Sequence, residues 1–116
     1  MLFVQYPKCT TCKKALKFLK DNNIDVQDRN ITEEVPTAEE LKSWIGKSGL
    51  EFKKFFNTCG KVYKEMNLKD KVKDMSLDEA AELLSTNGML IKRPILVSED
   101  KVLVGFKEAE YREMVK

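Results

Sequence analysis

Two cysteines, Cys9 and Cys12, stand three residues apart where an apolar run, Leu2-Phe3-Val4-Gln5-Tyr6, gives way to a lysine-rich helical pattern. Pro7-Lys8 makes the turn between them. The thiolate, not the thiol, is the nucleophile, and its population follows the pKa. At a helix N-terminus a sulfur meets backbone N–H groups without intrahelical partners and the positive end of the macrodipole. Lys8 and Lys13 add positive charge nearby. Helical residues three apart carry Cβ atoms about 5–6 Å from each other, and a disulfide spans a Cα separation of about 4.4–6.8 Å. Cys9 and Cys12 can therefore close a redox disulfide with little backbone movement. Cys9, nearest solvent, is expected to attack, and Cys12, one turn in on the apolar face, to resolve. Two ordinary cysteines at chance spacing are the alternative. A CxxC between a first strand and a first helix weighs against it.

Composition narrows the chemistry. The chain has no histidine. That removes the commonest general base and metal ligand, and with it Cys₂His₂ zinc, Ser-His-Asp and Cys-His catalysis. One CxxC plus Cys59 supplies three soft ligands at most, so no metal and no bound prosthetic group are expected. Cys59, within Asn57-Thr58-Cys59-Gly60, reads as a small filler or a free surface thiol. A length of 116 residues suits a single domain, 1–116. No apolar run approaches the ~18 residues of a membrane span. Charged residues interrupt the N-terminus too early for a secretory signal, so no membrane association and a cytoplasmic protein are expected. A net charge of +2 does not argue for direct nucleic-acid binding. Lys8, Lys13, Lys14, Lys17 and Lys20 precede the first acid, Asp21. They read as a solvated helix face, or as a field that attracts an anionic thiol such as glutathione.

These residues need a scaffold. Leu2 to Tyr6 reads as a buried strand. Thr10 to Asn22 reads as a helix with Cys12, Ala15, Leu16 and Leu19 on one face. Ile24 to Ile31 suggests a second, parallel strand, giving a βαβ start. Thr37 with Glu40 is a capping-box signal for a helix carrying Leu41, Trp44 and Ile45. Phe52, Phe55 and Phe56 make a short apolar helix, and Val62, Tyr63 and Met66 another. Mixed charge over Lys61 to Lys73 reads as solvated surface. Ser76 with Glu79 caps a further helix to Asn87, with a stripe of Leu77, Ala80, Ala81 and Leu84 and with Gly88 as its C-terminal glycine. Ile95-Leu96-Val97 and Val102 to Gly105 then form a hairpin, followed by a helix over Glu108 to Met114. The predicted class is α/β: a thioredoxin-like fold, βαβ then ββα, with a helical insert over about 33–90. Arg93-Pro94 directly precedes a strand. A proline there is expected to be cis in a redox fold of this layout and to shape the cleft beside the CxxC. Arg93 could pair an oxyanion or thiolate through its planar fork, or serve as an ordinary surface ion.

With these residues in view the chain resembles the ArsC family, the thioredoxin-fold group of arsenate reductases and Spx regulators. The resemblance runs over essentially the whole length. It is carried by Tyr6-Pro7-Lys8-Cys9-Thr10-Thr11-Cys12, Asp28-Arg29-Asn30-Ile31, Lys61-Val62-Tyr63, Lys92-Arg93-Pro94-Ile95-Leu96-Val97 and Gly105-Phe106-Lys107-Glu108-Ala109-Glu110-Tyr111. It implies that Cys9 matches the nucleophile that attacks arsenate in the reductases, and that Arg93 matches the arginine that holds the oxyanion. The reductases place two further arginines there. In this chain Asn57 and Gly105 align with them, with Lys53 or Lys54 as partial substitutes, so arsenate itself is not the expected substrate. Glutathione-linked reductases of this fold generally lack the second cysteine, whereas Spx-like proteins use CxxC as an oxidation switch and bind the C-terminal domain of the RNA polymerase α subunit. Gly49 lies near the glycine of that contact.

The expectation is a thiol–disulfide oxidoreductase, monomeric, with catalytic Cys9, Cys12 and Arg93 and cleft-shaping Pro94. Electrons would come from thioredoxin, glutaredoxin or glutathione. The alternative is an Spx-like regulator whose Cys9–Cys12 oxidation biases a polymerase-binding surface.

Overall fold

A computed structural model describes residues 1–114. Four strands form one sheet in the order β2-β1-β3-β4. They are β1 (Leu2–Gln5), β2 (Gln27–Asn30), β3 (Ile95–Val97) and β4 (Val102–Val104). β1 pairs with β2 in parallel and with β3 antiparallel, and β3 pairs with β4 antiparallel. Helices α1 (Thr10–Asp21), α2 (Ala38–Ser48), α3 (Lys61–Glu65), α4 (Leu68–Lys71), α5 (Leu77–Ser85) and α6 (Glu108–Met114) complete the order, with 3₁₀ turns at Phe52–Phe55, Val72–Asp74 and Gly88–Leu90. This is the thioredoxin-like arrangement that the alternating patterns predict, with α2 to α5 inserted between β2 and β3.

Strand side chains alternate between faces, and that alternation builds two cores. Phe3, Leu96 and Leu103 face Ala15 and Leu19 of α1 and Tyr111 of α6. Val4, Ile95 and Val102 face the insert, where they meet Leu41, Trp44, Phe55, Phe56 and Leu84. The register Phe3↔Leu96↔Leu103 keeps the first set in line across three strands. Full burial of each such side chain stabilises by roughly 1.5–3 kcal/mol. A one-residue slip would turn every one to the wrong core.

Several boundaries differ from the sequence reading, each for a local reason. The second strand begins at Gln27, not Ile24. Asn23 adopts a left-handed φ of 58°, and Ile24 N–H reaches back to the Leu19 carbonyl at 2.9 Å. That is a Schellman close of α1, so Ile24 and Val26 pack under the sheet as part of the turn. β2 is an edge strand and is correspondingly polar. Asp28 accepts two hydrogen bonds from Gln5 of β1 (2.8 and 2.9 Å). Arg29 forks onto both oxygens of Glu40 (2.7 and 2.9 Å) and lies over the Trp44 ring. Glu40 also completes the capping box with Thr37, so one carboxylate fixes α2 to the sheet edge. The guanidinium holds that carboxyl below its usual range.

Charge-rich Lys61 to Lys73 is not wholly solvated. Leu68 and Val72 are buried there, and α4 forms around them. The Ser76–Glu79 box is present, but the stripe excludes Leu77, which is exposed. Gly88 does not terminate α5. Its α-carbon rests against the Ile31 carbonyl, where a Cβ would overlap the backbone. Gly46, inside α2, has open space around it. Gly88→Ala should therefore destabilise by about 2 kcal/mol or more, the scale of forced overpacking. Gly46→Ala should stabilise by about 0.5–1 kcal/mol. Urea denaturation of the two variants beside the parent checks both signs.

Candidate active site

Cys9 is the N-cap of α1, with extended backbone (φ −84°, ψ 123°). Its own N–H donates to the Tyr6 carbonyl at 2.9 Å, which closes the turn after β1. Its Sγ accepts the Cys12 N–H at 3.4 Å. In this position the sulfur does the work that a Ser or Asp oxygen does at ordinary N-caps. Cys9 is half-buried and Cys12 is fully buried on the sheet side of the helix. Both are free thiols.

The two sulfurs have opposite electrostatics. Burial pushes the Cys9 thiol up, but the Cys12 N–H and thiol, the Arg93 charge and the Thr11 N–H outweigh it. The Cys9 pKa is therefore lowered. Cys12 is pushed up to about 12, first by burial and then by the neighbouring Cys9 sulfur, against a stabilising backbone hydrogen bond from Tyr6. Within one turn of helix, the surroundings favour the charged form of one sulfur and disfavour that of the other.

Arg93 comes to this site by strand geometry. Val4 pairs with Ile95, which sets the residues before β3 beside the turn after β1. The Arg93–Pro94 bond is cis, as expected for this layout. The Pro94 carbonyl accepts from Gly105 N–H at 2.8 Å. The guanidinium lies 5.1 Å from the centre of the Tyr6 ring. Its Nε and Nη1 are buried and have no hydrogen-bond partner among the described residues. Buried donors of this kind are costly unless something accepts from them.

They border a cavity of about 350 Å³ lined by Cys9, Asn57, Lys92, Arg93, Gly105 and Lys107, among others. Asn57 arrives through a short antiparallel bridge, Phe56↔Ile91. In that bridge Asn57 N–H donates to the Leu90 carbonyl (2.7 Å) and Lys92 N–H to the Phe55 carbonyl (2.8 Å). Gly105 has a left-handed φ of 78°. The Lys92 side chain crosses over it, with Cε 3.4 Å from where a Cβ would stand. Asn57 and Gly105 thus sit at the cavity, as their alignment implied. Lys53 and Lys54 do not substitute there. They line a neighbouring cleft. The positive charge beside Arg93 comes instead from Lys92 and Lys107, to which sequence reasoning gave no role. The available signal was their position next to Arg93 and Gly105. Only Arg93 among the three offers a planar fork.

Cys59 is exposed in the turn before α3 and does not line the cavity. Among the described residues no three His, Cys, Asp or Glu side chains cluster so as to hold a metal. None of the described helices is long and apolar enough to cross a membrane.

The sequence pattern of the ArsC family matches residues 4–114. The chain belongs to the ArsC family. It is 50% identical over 113 residues to YusI of Bacillus subtilis, which covers 97% of this chain and 96% of that protein. It is 32% identical over 109 residues to the global transcriptional regulator Spx of Enterococcus faecalis, covering 94% of this chain and 81% of that one. A crystal structure described as a possible arsenate reductase from Streptococcus mutans superposes with a TM-score of 0.91 at 46% identity, over 99% of this chain and 97% of the other. This ArsC-family chain therefore has relatives named for both catalysis and regulation.

Removing the Arg93 charge takes away one of the influences that lower Cys9. In Arg93→Met the pH midpoint for iodoacetamide alkylation of Cys9 should move upward, and in Arg93→Lys it should move less. Alkylation rates read by mass spectrometry across pH check both variants, with Cys9→Ser as the blank.

Proposed function

We propose that this chain is a thiol–disulfide oxidoreductase in which Cys9 is the nucleophile, Cys12 resolves, and Arg93 steadies negative charge beside the reacting sulfur. The observation that carries this reading is the opposed pair: a Cys9 sulfur capping α1 with its pKa lowered, one turn from a buried Cys12 held protonated. The Cys9 thiolate attacks one sulfur of a substrate disulfide. A bond forms between Cys9 and that sulfur, and the other substrate sulfur leaves as a thiolate. Cys12 then loses its proton to the departing thiolate and attacks Cys9 Sγ, which releases the second substrate sulfur as a thiolate, protonated from water, and leaves a Cys9–Cys12 disulfide. In the mixed disulfide Cys9 no longer carries charge, so one of the influences that raise Cys12 disappears when Cys12 must react. A dithiol of the thioredoxin or glutaredoxin class, or glutathione, returns two electrons. Pro94 is not itself among the cavity-lining residues; it follows Arg93, and its carbonyl accepts from the Gly105 N–H and so ties the two lining segments together. Arsenate is the weaker substrate in this reading, since Asn57 and Gly105 stand where a further guanidinium fork would be needed.

The Spx relative, at 32% identity, supports a second reading: a cytoplasmic regulator whose Cys9–Cys12 oxidation tunes binding to the C-terminal domain of the RNA polymerase α subunit. One set of variants separates the two. Cys12→Ser should accumulate a Cys9 mixed disulfide with substrate, visible as an added mass, and Cys9→Ser should lose disulfide reduction entirely. If both variants turn over disulfides like the parent, the oxidoreductase reading is wrong. If instead the purified α domain binds the parent, and binding changes on oxidation and loses only that redox response in Cys9→Ser, the regulator reading takes its place.

A further inference from the structure

Next to the Cys9 cavity lies a second cleft of about 390 Å³. Its floor is apolar, with Phe56, Tyr63 and Val72. Its rim carries Lys53, Lys54, Lys69, Lys73 and Lys92 against one carboxylate, Glu51. Among the described residues none of these five lysines is ion-paired, whereas Lys42 and Lys61 elsewhere on the surface are. Lys92 lines both clefts, and Asn57 of the first lies between Phe56 and Thr58 of the second in the chain. The two cavities therefore share a wall.

The common bland account of exposed lysines is solvation, and single lysines need no other. Five around one concave apolar floor are different. They outnumber the single carboxylate on the rim, and the concavity focuses their field beside the Cys9 cavity. An apolar floor with a charged rim is also the ordinary make-up of a small-molecule site.

Resting on the oxidoreductase reading above, we propose that the substrate is a low-molecular-weight disulfide bearing two or more negative charges, with its anionic part in the lysine cleft and its disulfide reaching Cys9 past Lys92. The exchange is the one already written: two electrons pass from the Cys9–Cys12 dithiol to the substrate disulfide, which leaves as two thiols. The cleft acts on encounter and on orientation, not on the bond-breaking step. Carboxylates and phosphates share the required charge.

The test uses the full chain and four disulfides: oxidised glutathione (carboxylates), coenzyme A disulfide (phosphates), bis(2-hydroxyethyl) disulfide (neutral) and cystamine (cationic). Second-order rate constants for Cys9 mixed-disulfide formation are read by stopped flow and intact mass, in the parent and in Lys69→Gln/Lys73→Gln. Electrostatic attraction on the order of tenfold or more is expected for an anionic over the neutral probe, and cystamine should be slowest. The anionic-to-neutral ratio should fall several-fold in the variant and also in the parent at high salt, since added salt screens the attraction. Preference for coenzyme A disulfide would assign phosphate, preference for oxidised glutathione would assign carboxylate, and either supports the proposal. A ratio near one, or one that neither salt nor the variant moves, overturns it while leaving Cys9 chemistry intact. The salt series stands even if the variant fails to fold. Failure of Cys9 to react with any of the four disulfides would overturn the oxidoreductase reading itself.

Discussion

The Cys9 sulfur takes the hydrogen bond that α1 needs at its first turn. A helix start leaves N–H groups unpaired, and here the Cys9 sulfur answers one of them at 3.4 Å. Folding and reactivity thus rest on one contact. Stabilising the negative sulfur stabilises the helix end, and forming the helix prepares the sulfur. The remaining structure serves this position. β1 delivers Cys9 through the Tyr6 turn, Ala15 and Leu19 fix α1 against Phe3, and β3 brings Arg93 beside the sulfur through its pairing with β1.

The second constraint is the asymmetry between neighbours. Cys12 lies on the apolar face of α1, where desolvation penalises its charged form, and the Cys9 charge adds to that penalty. The helix separates the two environments, because one position faces the cavity and the next, a turn later, faces the sheet. Beside them Arg93 presents two buried guanidinium nitrogens with no acceptor among the described residues, an arrangement that favours a negative group at that place.

Much of this was legible in the residues. CxxC after a short apolar run gives the strand and the helix, because local spacing alone decides them. The capping boxes at Thr37 and Ser76 were readable for the same reason. What was not readable depended on contacts distant in sequence. Gly88 looked like a helix stop, but its neighbour is Ile31, from the far side of the insert. Leu68 and Val72 were hidden among lysines, since α4 is too short to show a period. Lys92 and Lys107 became cavity residues only because the Phe56↔Ile91 bridge and the turn at Gly105 bring their segments to Cys9. Lys53 and Lys54, by contrast, point to the adjoining cleft.

To serve as a redox pair, Cys9 and Cys12 must exchange electrons at cellular potentials. The reduction potential of the pair, from equilibration in defined glutathione and dithiothreitol buffers with mass spectrometry to count the bridge, decides this. A Cys9–Cys12 disulfide that forms and breaks reversibly with a potential of about −200 to −300 mV is the predicted result. A pair that stays reduced at every physiological poise would contradict the account and leave Cys9 to act alone.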